Sequence, residues 1–190
     1  KFCMQIKLVM KLYFFLILIL LSSTSIDAQS INWVSMNEAF ELQKKVPKKI
    51  IIDMYTSWCG PCKMLDKNTF TNKDLIAFVN SHYYAVKFNA EGNELVNYKK
   101  QLFTNPNYDP AKAKRRNSPH QFSQYLGVRA YPTIVFLGLE SELIAPIPGY
   151  QTAQKLELYL QLFKDETYKK MNSQEAFNIY YKSFKPTFER

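Results

Sequence analysis

The sequence predicts an α/β sandwich, and three observations carry that prediction. Strand-like and helix-like segments alternate from residue 31 to residue 89, as they do where strands are joined by helical crossovers. Residues 49–56 (K-I-I-I-D-M-Y-T) are almost continuously apolar, the pattern of a central strand covered on both faces. Two further strand-like runs, 132–137 and 143–148, are joined by a short turn opening at Gly138 and followed by an amphipathic segment, 152–163.

Taken in order, residues 31–34 read as a short first strand. Ser35-Met36-Asn37-Glu38 fits a capping box and opens a helix to about Lys45, which Pro47 ends. After the central strand, Trp58-Cys59-Gly60-Pro61-Cys62-Lys63 should begin a helix, since Pro61 suits a first helical turn. Another helix runs over 73–80 with Asn72 as its cap, and 83–89 is the next strand.

Residues 90–117 break this rhythm. They are polar, include the basic cluster Lys112, Lys114, Arg115 and Arg116, and form an insertion longer than ordinary connections. Within it, residues 94–103 are expected to form a short helix. The cluster is expected to be a solvated loop, with contact to an acidic partner as the alternative. At Ser118-Pro119-His120-Gln121, Ser118 can cap a helix, Pro119 can take its first position and Gln121 can complete the box. That helix should end near Gly127. Ala176, Phe177, Tyr180, Tyr181 and Phe184 share one helical face, so residues 174–184 should form an extra docked helix. The expected division is a leader over 1–28, one domain over 29–164 containing the insertion, and a helical extension over 165–190.

Composition narrows the functional classes. Of 190 residues, 47% are hydrophobic, with 14 Phe and 13 Tyr, enough to build a core. Five glycines argue against a glycine-rich phosphate binder. Lys1, Lys7 and Lys11 precede an apolar run over 12–21, and Ser22, Ser23, Thr24 and Ser25 lead to a cleavage site after Ala28. This is the layout of a secretory signal peptide, and a run of this length is shorter than the ~20 apolar residues that span a bilayer. The expectation is an exported chain, periplasmic or secreted, with no stable membrane insertion after cleavage. An uncleaved anchor is the alternative. The formal charge is +9. Its lysines are scattered and export separates the chain from nucleic acid, so no nucleic-acid partner is expected.

The three cysteines are Cys3, Cys59 and Cys62. Cys3 falls in the leader, which leaves one C-x-x-C. A bridge across so short a span closes almost no loop and stabilises little. A zinc site needs four ligands, and although His82 and His120 could complete one, the spacing is not that of a zinc finger. His120 reads instead as a polar residue at a helix N-terminus. Disulfide exchange needs an accessible, partly ionised nucleophilic thiol and a second thiol to resolve the mixed disulfide. A C-x-x-C at a helix N-terminus supplies both, because unpaired N–H groups and the helix dipole favour an anion there. Such motifs have thiol pKa values of about 3.5–7.5. Cys59 is therefore the candidate nucleophile and Cys62 the resolving thiol.

At these residues the sequence resembles the thioredoxin family. Trp58-Cys59-Gly60-Pro61-Cys62-Lys63 is similar to the thioredoxin active-site motif. Asp53, in the preceding strand, matches the buried acid of that family, and Lys87 the lysine beside it. Ala130-Tyr131-Pro132-Thr133 matches the segment carrying a cis-proline opposite the dithiol, and Gly149 a glycine before the last helix. The resemblance covers roughly residues 31–164, and is particularly close to exported members such as the C-terminal periplasmic domain of transmembrane reductant transporters. It implies a thioredoxin fold, a central mixed sheet flanked by helices, with the insertion lying before the cis-proline helix. It also implies a catalytic set of Cys59, Cys62, Asp53 and Lys87, a Cys59–Cys62 disulfide, and substrate contacts from Trp58, Gly60, Pro61, Tyr131 and Pro132. Gly60-Pro61 resembles reducing thioredoxins more than strong oxidants. The expected function is reduction of protein disulfides by a monomer that is recharged by a membrane electron donor, without metal or organic cofactor. An oxidase or isomerase of the same fold, and a non-catalytic binding module using the insertion, remain as alternatives.

Overall fold

The computed structural model describes residues 30–189, so the leader expected over 1–28 lies outside the described residues. Among the described residues seven strands and six α-helices follow one another: β1 (Trp33–Val34), α1 (Met36–Lys45), β2 (Lys49–Tyr55), α2 (Gly60–Asn68), α3 (Lys73–His82), β3 (Tyr83–Asn89), β4 (Val96–Tyr98), β5 (Gln101–Phe103), α4 (Gln121–Tyr125), β6 (Thr133–Leu137), β7 (Leu143–Pro148), α5 (Ala153–Lys164) and α6 (Gln174–Ser183). Five strands form one mixed sheet in the order β1-β3-β2-β6-β7. β2 runs parallel to β3 and antiparallel to β6.

β2 is central because both its faces are apolar, and its pleat divides the core in two. Ile51 faces a cluster with Leu65 of α2, Leu75 and Val79 of α3, and Leu156 and Leu160 of α5. Ile50, Ile52 and Met54 face the opposite cluster, with Met36 and Phe40 of α1 and Phe122 and Leu126 of α4. Alternation of successive side chains thus puts Asp53 on the α2 side of the sheet.

The insertion departs from the sequence expectation. Residues 94–103 form a hairpin of β4 and β5 rather than a helix, with Val96 paired to Phe103 and Tyr98 to Gln101. Val96, Tyr98 and Phe103 are buried while Asn97 and Leu102 are exposed, so burial follows the two-residue period of a strand. Lys99 and Lys100 turn the hairpin at positive φ. Tyr98, Phe103 and Phe122 pack ring against ring, with centroids 5.4–6.2 Å apart, and hold the hairpin on the core.

The helix cap at 118–121 is also shifted. His120, not Ser118, is the N-cap of α4, and its Nδ1 accepts from the Phe122 N–H at 3.0 Å. Gln121 does not close a capping box; its Oε1 accepts from the Thr104 N–H. α6 packs Phe177 and Tyr180 against the core, while Tyr181 points outward and is half exposed. The last residues return to α5. The buried Glu157 carboxylate accepts the N–H groups of Thr187 and Phe188 at 2.9–3.0 Å and the Thr187 hydroxyl at 2.6 Å.

Candidate active site

The site forms where β2 ends and α2 begins. Cys59 is the N-cap of α2, and its Sγ accepts from the Cys62 N–H at 3.1 Å. Pro61 occupies the first turn, where it has no N–H to leave unpaired. One helical turn brings the two sulfurs together, and Cys59 and Cys62 are joined in a disulfide with Cα atoms 5.3 Å apart. Gly60 and Pro61 between them are exposed. Cys59 is less accessible than the sequence suggested: it is 3% exposed and Cys62 2%. Both cysteines are equally buried in the disulfide, so the difference expected between nucleophile and resolving thiol is not seen in this state.

The Tyr131–Pro132 peptide bond is cis. The Pro132 carbonyl accepts from the Gly149 N–H at 2.8 Å, and Thr133 Oγ1 donates to the Ala130 carbonyl at 2.8 Å, which fixes both flanks of the turn. Gly149 has φ +88°, a backbone conformation that favours glycine. Trp58 meets Tyr131 edge to face, with ring centroids 6.1 Å apart.

Asp53 lies on the α2 side of β2 and is 1% exposed. Burial pushes its carboxyl up to about 7, against a smaller opposing pull from Lys87. Neither oxygen has a hydrogen-bond partner among the described residues, and Thr56 Oγ1 nearby on the chain is in the same position. Lys87, directly opposite Asp53 in the β3 register, comes within 3.4 Å of Oδ2, an ion-pair contact without hydrogen-bond geometry. It also bonds Asp66 of α2. Its ammonium stands 5.3–5.7 Å from the rings of Trp33, Tyr55 and Phe70.

The insertion reaches this site. Ser57 Oγ donates to the Ala113 carbonyl at 2.7 Å. Trp58 Nε1 and the Asn117 N–H both donate to Glu91 Oε2, at 2.7 and 2.9 Å. The Arg116 guanidinium lies 4.6 Å from the centre of the Trp58 ring. Sequence reasoning missed Asp66 and Glu91, and named Arg116 only as part of a basic loop, not beside Trp58. Asp66 lies one turn beyond Cys62, a findable signal, but the partners of Glu91 and Arg116 are distant in the chain. His120 uses both ring nitrogens structurally, since Nε2 lies 2.7 Å from the Glu94 carbonyl.

The thioredoxin-like domain family matches residues 36–181. The chain belongs to the thioredoxin-like family. No curated protein matches it. Solved thioredoxin-fold structures resemble it at low identity. A thioredoxin-fold protein from Helicobacter pylori is 19% identical with a TM-score of 0.57, covering 83% of this chain and 87% of that one. The DsbH oxidoreductase is 19% identical at 0.52, covering 75% and 91%. A putative disulphide-isomerase from Bacteroides thetaiotaomicron is 24% identical at 0.50, covering 72% and 94%. These likenesses bear on the fold. In this thioredoxin-like chain, the features that speak to chemistry are the disulfide at the head of α2 and the buried Asp53 of β2, whose carboxyl burial pushes up to about 7.

Proposed function

We propose that this thioredoxin-like protein is an exported thiol–disulfide oxidoreductase that reduces protein disulfides. The observation that carries the reading is the Cys59–Cys62 pair at the N-terminus of α2. The reduced Cys59 thiolate attacks one sulfur of a substrate disulfide, forming a mixed disulfide and releasing one substrate thiolate, which takes a proton from solvent. The backbone N–H of Cys62 already points at Cys59 Sγ and favours its anionic form. Asp53, with a pKa near neutrality, takes the Cys62 proton as general base. The Cys62 thiolate then attacks Cys59 Sγ, closing the Cys59–Cys62 disulfide and releasing the second substrate thiolate, again protonated by solvent. Two electrons pass from the pair to the substrate. Lys87 acts through Asp53 and steadies its charged form.

Export rests on the leader-like pattern of residues 1–28. In an oxidising compartment the pair needs a thiol reductant to restore it, and a membrane electron donor fits that need. The test is the reduction potential of the Cys59–Cys62 couple, measured with insulin reduction by wild type and Cys59→Ser. A potential near that of thioredoxin, about −270 mV, with activity lost in the variant supports the reading. A potential near about −120 mV would instead mark an oxidant. Equal inactivity of both proteins would remove the enzyme assignment.

A further inference from the structure

We propose that the insertion makes the dithiol selective for substrate segments carrying acidic residues beside the reactive cysteine, with Arg116 and Arg129 as the specificity-determining residues. This rests on the oxidoreductase reading and names the substrate class of that same site.

The insertion is an ordered wall. Asp109 and Asn117 close its end reciprocally, the Asp109 N–H donating to Asn117 Oδ1 at 3.0 Å and Asn117 Nδ2 to the Asp109 carbonyl at 2.8 Å. Asn105 Nδ2 ties its base to the Gly92 and Ser118 carbonyls at 2.9 and 2.8 Å. Ser57 and Glu91 then fasten the wall to the active-site loop. Within this exposed basic cluster, Arg116 thus stands over Trp58.

That wall carries charge toward the site. Arg116 lies over the Trp58 ring, and Trp58 meets Tyr131 of the cis-proline turn. Arg129, two residues before Tyr131, lines a groove of about 410 Å³ together with Glu91, Pro119, Gln124, Val128 and Tyr131. A substrate cysteine presented to Cys59 would bring its flanking residues past Trp58 and Tyr131, toward Arg116 over the one ring and Arg129 in the groove beside the other. The one carboxylate in the groove, Glu91, is already engaged by two N–H donors. Lys112 pairs with Asp109, but Lys114, Arg115, Arg116 and Arg129 have no ion pair among the described residues. Arg129 in the groove and Arg116 on the Trp58 ring thus each carry a positive charge that no carboxylate among the described residues pairs. Arg116, stacked on an aromatic face, loses less freedom on engaging a carboxylate than a free surface lysine would.

The test uses the full chain, pre-reduced with dithiothreitol, and two disulfide peptides that differ only in having Glu or Lys beside the cysteine. The readout is the ratio of the two reduction rates within each protein. Wild type should favour the Glu peptide by about five- to tenfold at low salt, as expected for one or two surface charge pairs. The ratio should collapse toward one at 1 M salt, where the Debye length is about 3 Å. Arg116→Glu and, separately, Arg129→Glu should lower or invert the ratio, while Arg116→Lys keeps most of it. A wild-type ratio near one, or a ratio unchanged in both charge-reversal variants, overturns the proposal. Reduction of an uncharged small disulfide by wild type but not by Cys59→Ser separates the two claims. If that reaction proceeds without peptide discrimination, selectivity alone fails. If it is absent, the oxidoreductase reading fails and the selectivity with it.

Discussion

Lys87 stands directly opposite Asp53 across the β2–β3 ladder, yet its ammonium bonds Asp66 on α2. Asp53 is left with one ion-pair contact at 3.4 Å and no hydrogen bond. A buried carboxyl held this way favours its proton, because burial outweighs the partly diverted lysine. Burial thus poises this acid near neutrality, and Lys87, which also bonds Asp66, offsets it only in part.

Asp53→Asn should stabilise the oxidised protein in alkaline solution. The unfolded chain ionises Asp53 near pH 3.8, whereas the folded chain holds the proton to about 7. Between these values the unfolded state binds fewer protons, so stability is full below pH 3.8 and falls as pH rises through 7. Urea denaturation at pH 8 should show the variant more stable by an amount on the order of 4 kcal/mol, shrinking to little at pH 4. An identical difference at both values would contradict this.

The same variant should flatten the pH profile of disulfide reduction. Wild-type turnover should rise through an apparent pKa near 7 as Asp53 becomes able to accept the Cys62 proton. Asp53→Asn should lose that limb and slow the reaction by about 10²-fold or more above it. A retained limb would assign it to another group.

Asp66→Asn should move the Asp53 titration downward. It removes a nearby negative charge that raises the Asp53 pKa and frees Lys87 to pair with Asp53 alone. Both effects favour ionised Asp53. Carboxyl NMR titration checks the sign, and an upward shift would refute the competition.

Glu91→Ala should loosen the insertion. It removes the acceptor shared by Trp58 Nε1 and the Asn117 N–H. Loss of two charge-assisted bonds should destabilise by about 2–4 kcal/mol. Limited trypsin digestion should then cut at Lys112–Arg116 faster than in wild type, with a change in tryptophan fluorescence.

Glu157→Ala should release the C-terminal strap. Thr187 and Phe188 would lose the carboxylate that binds both their N–H groups. Hydrogen exchange at these amides should quicken while that of β2 stays protected, because the central strand is held by neighbours on both sides.

The readable parts of the chain were those with a local period or a local motif. The apolar run of β2, the caps Ser35 and Asn72, and the strand pair 133–148 all follow from near neighbours. The hairpin at 96–103 was misread because its strands are three residues long, too short to establish a period against a helical reading. His120 displaced Ser118 as the cap because its second ring nitrogen also meets the Glu94 carbonyl, a partner 26 residues away.

The sequence by itself determined an α/β thioredoxin-like chain with one C-x-x-C behind a buried strand, because spacing along the chain decides which residues share a helix turn or a strand face. The tertiary structure decided what surrounds that pair. Lys87 is shared between Asp53 and Asp66, and Glu91 ties Trp58 to Asn117, with Arg116 over the indole. These are contacts between separate segments of chain. Their energies depend on burial and distance, and packing alone sets both.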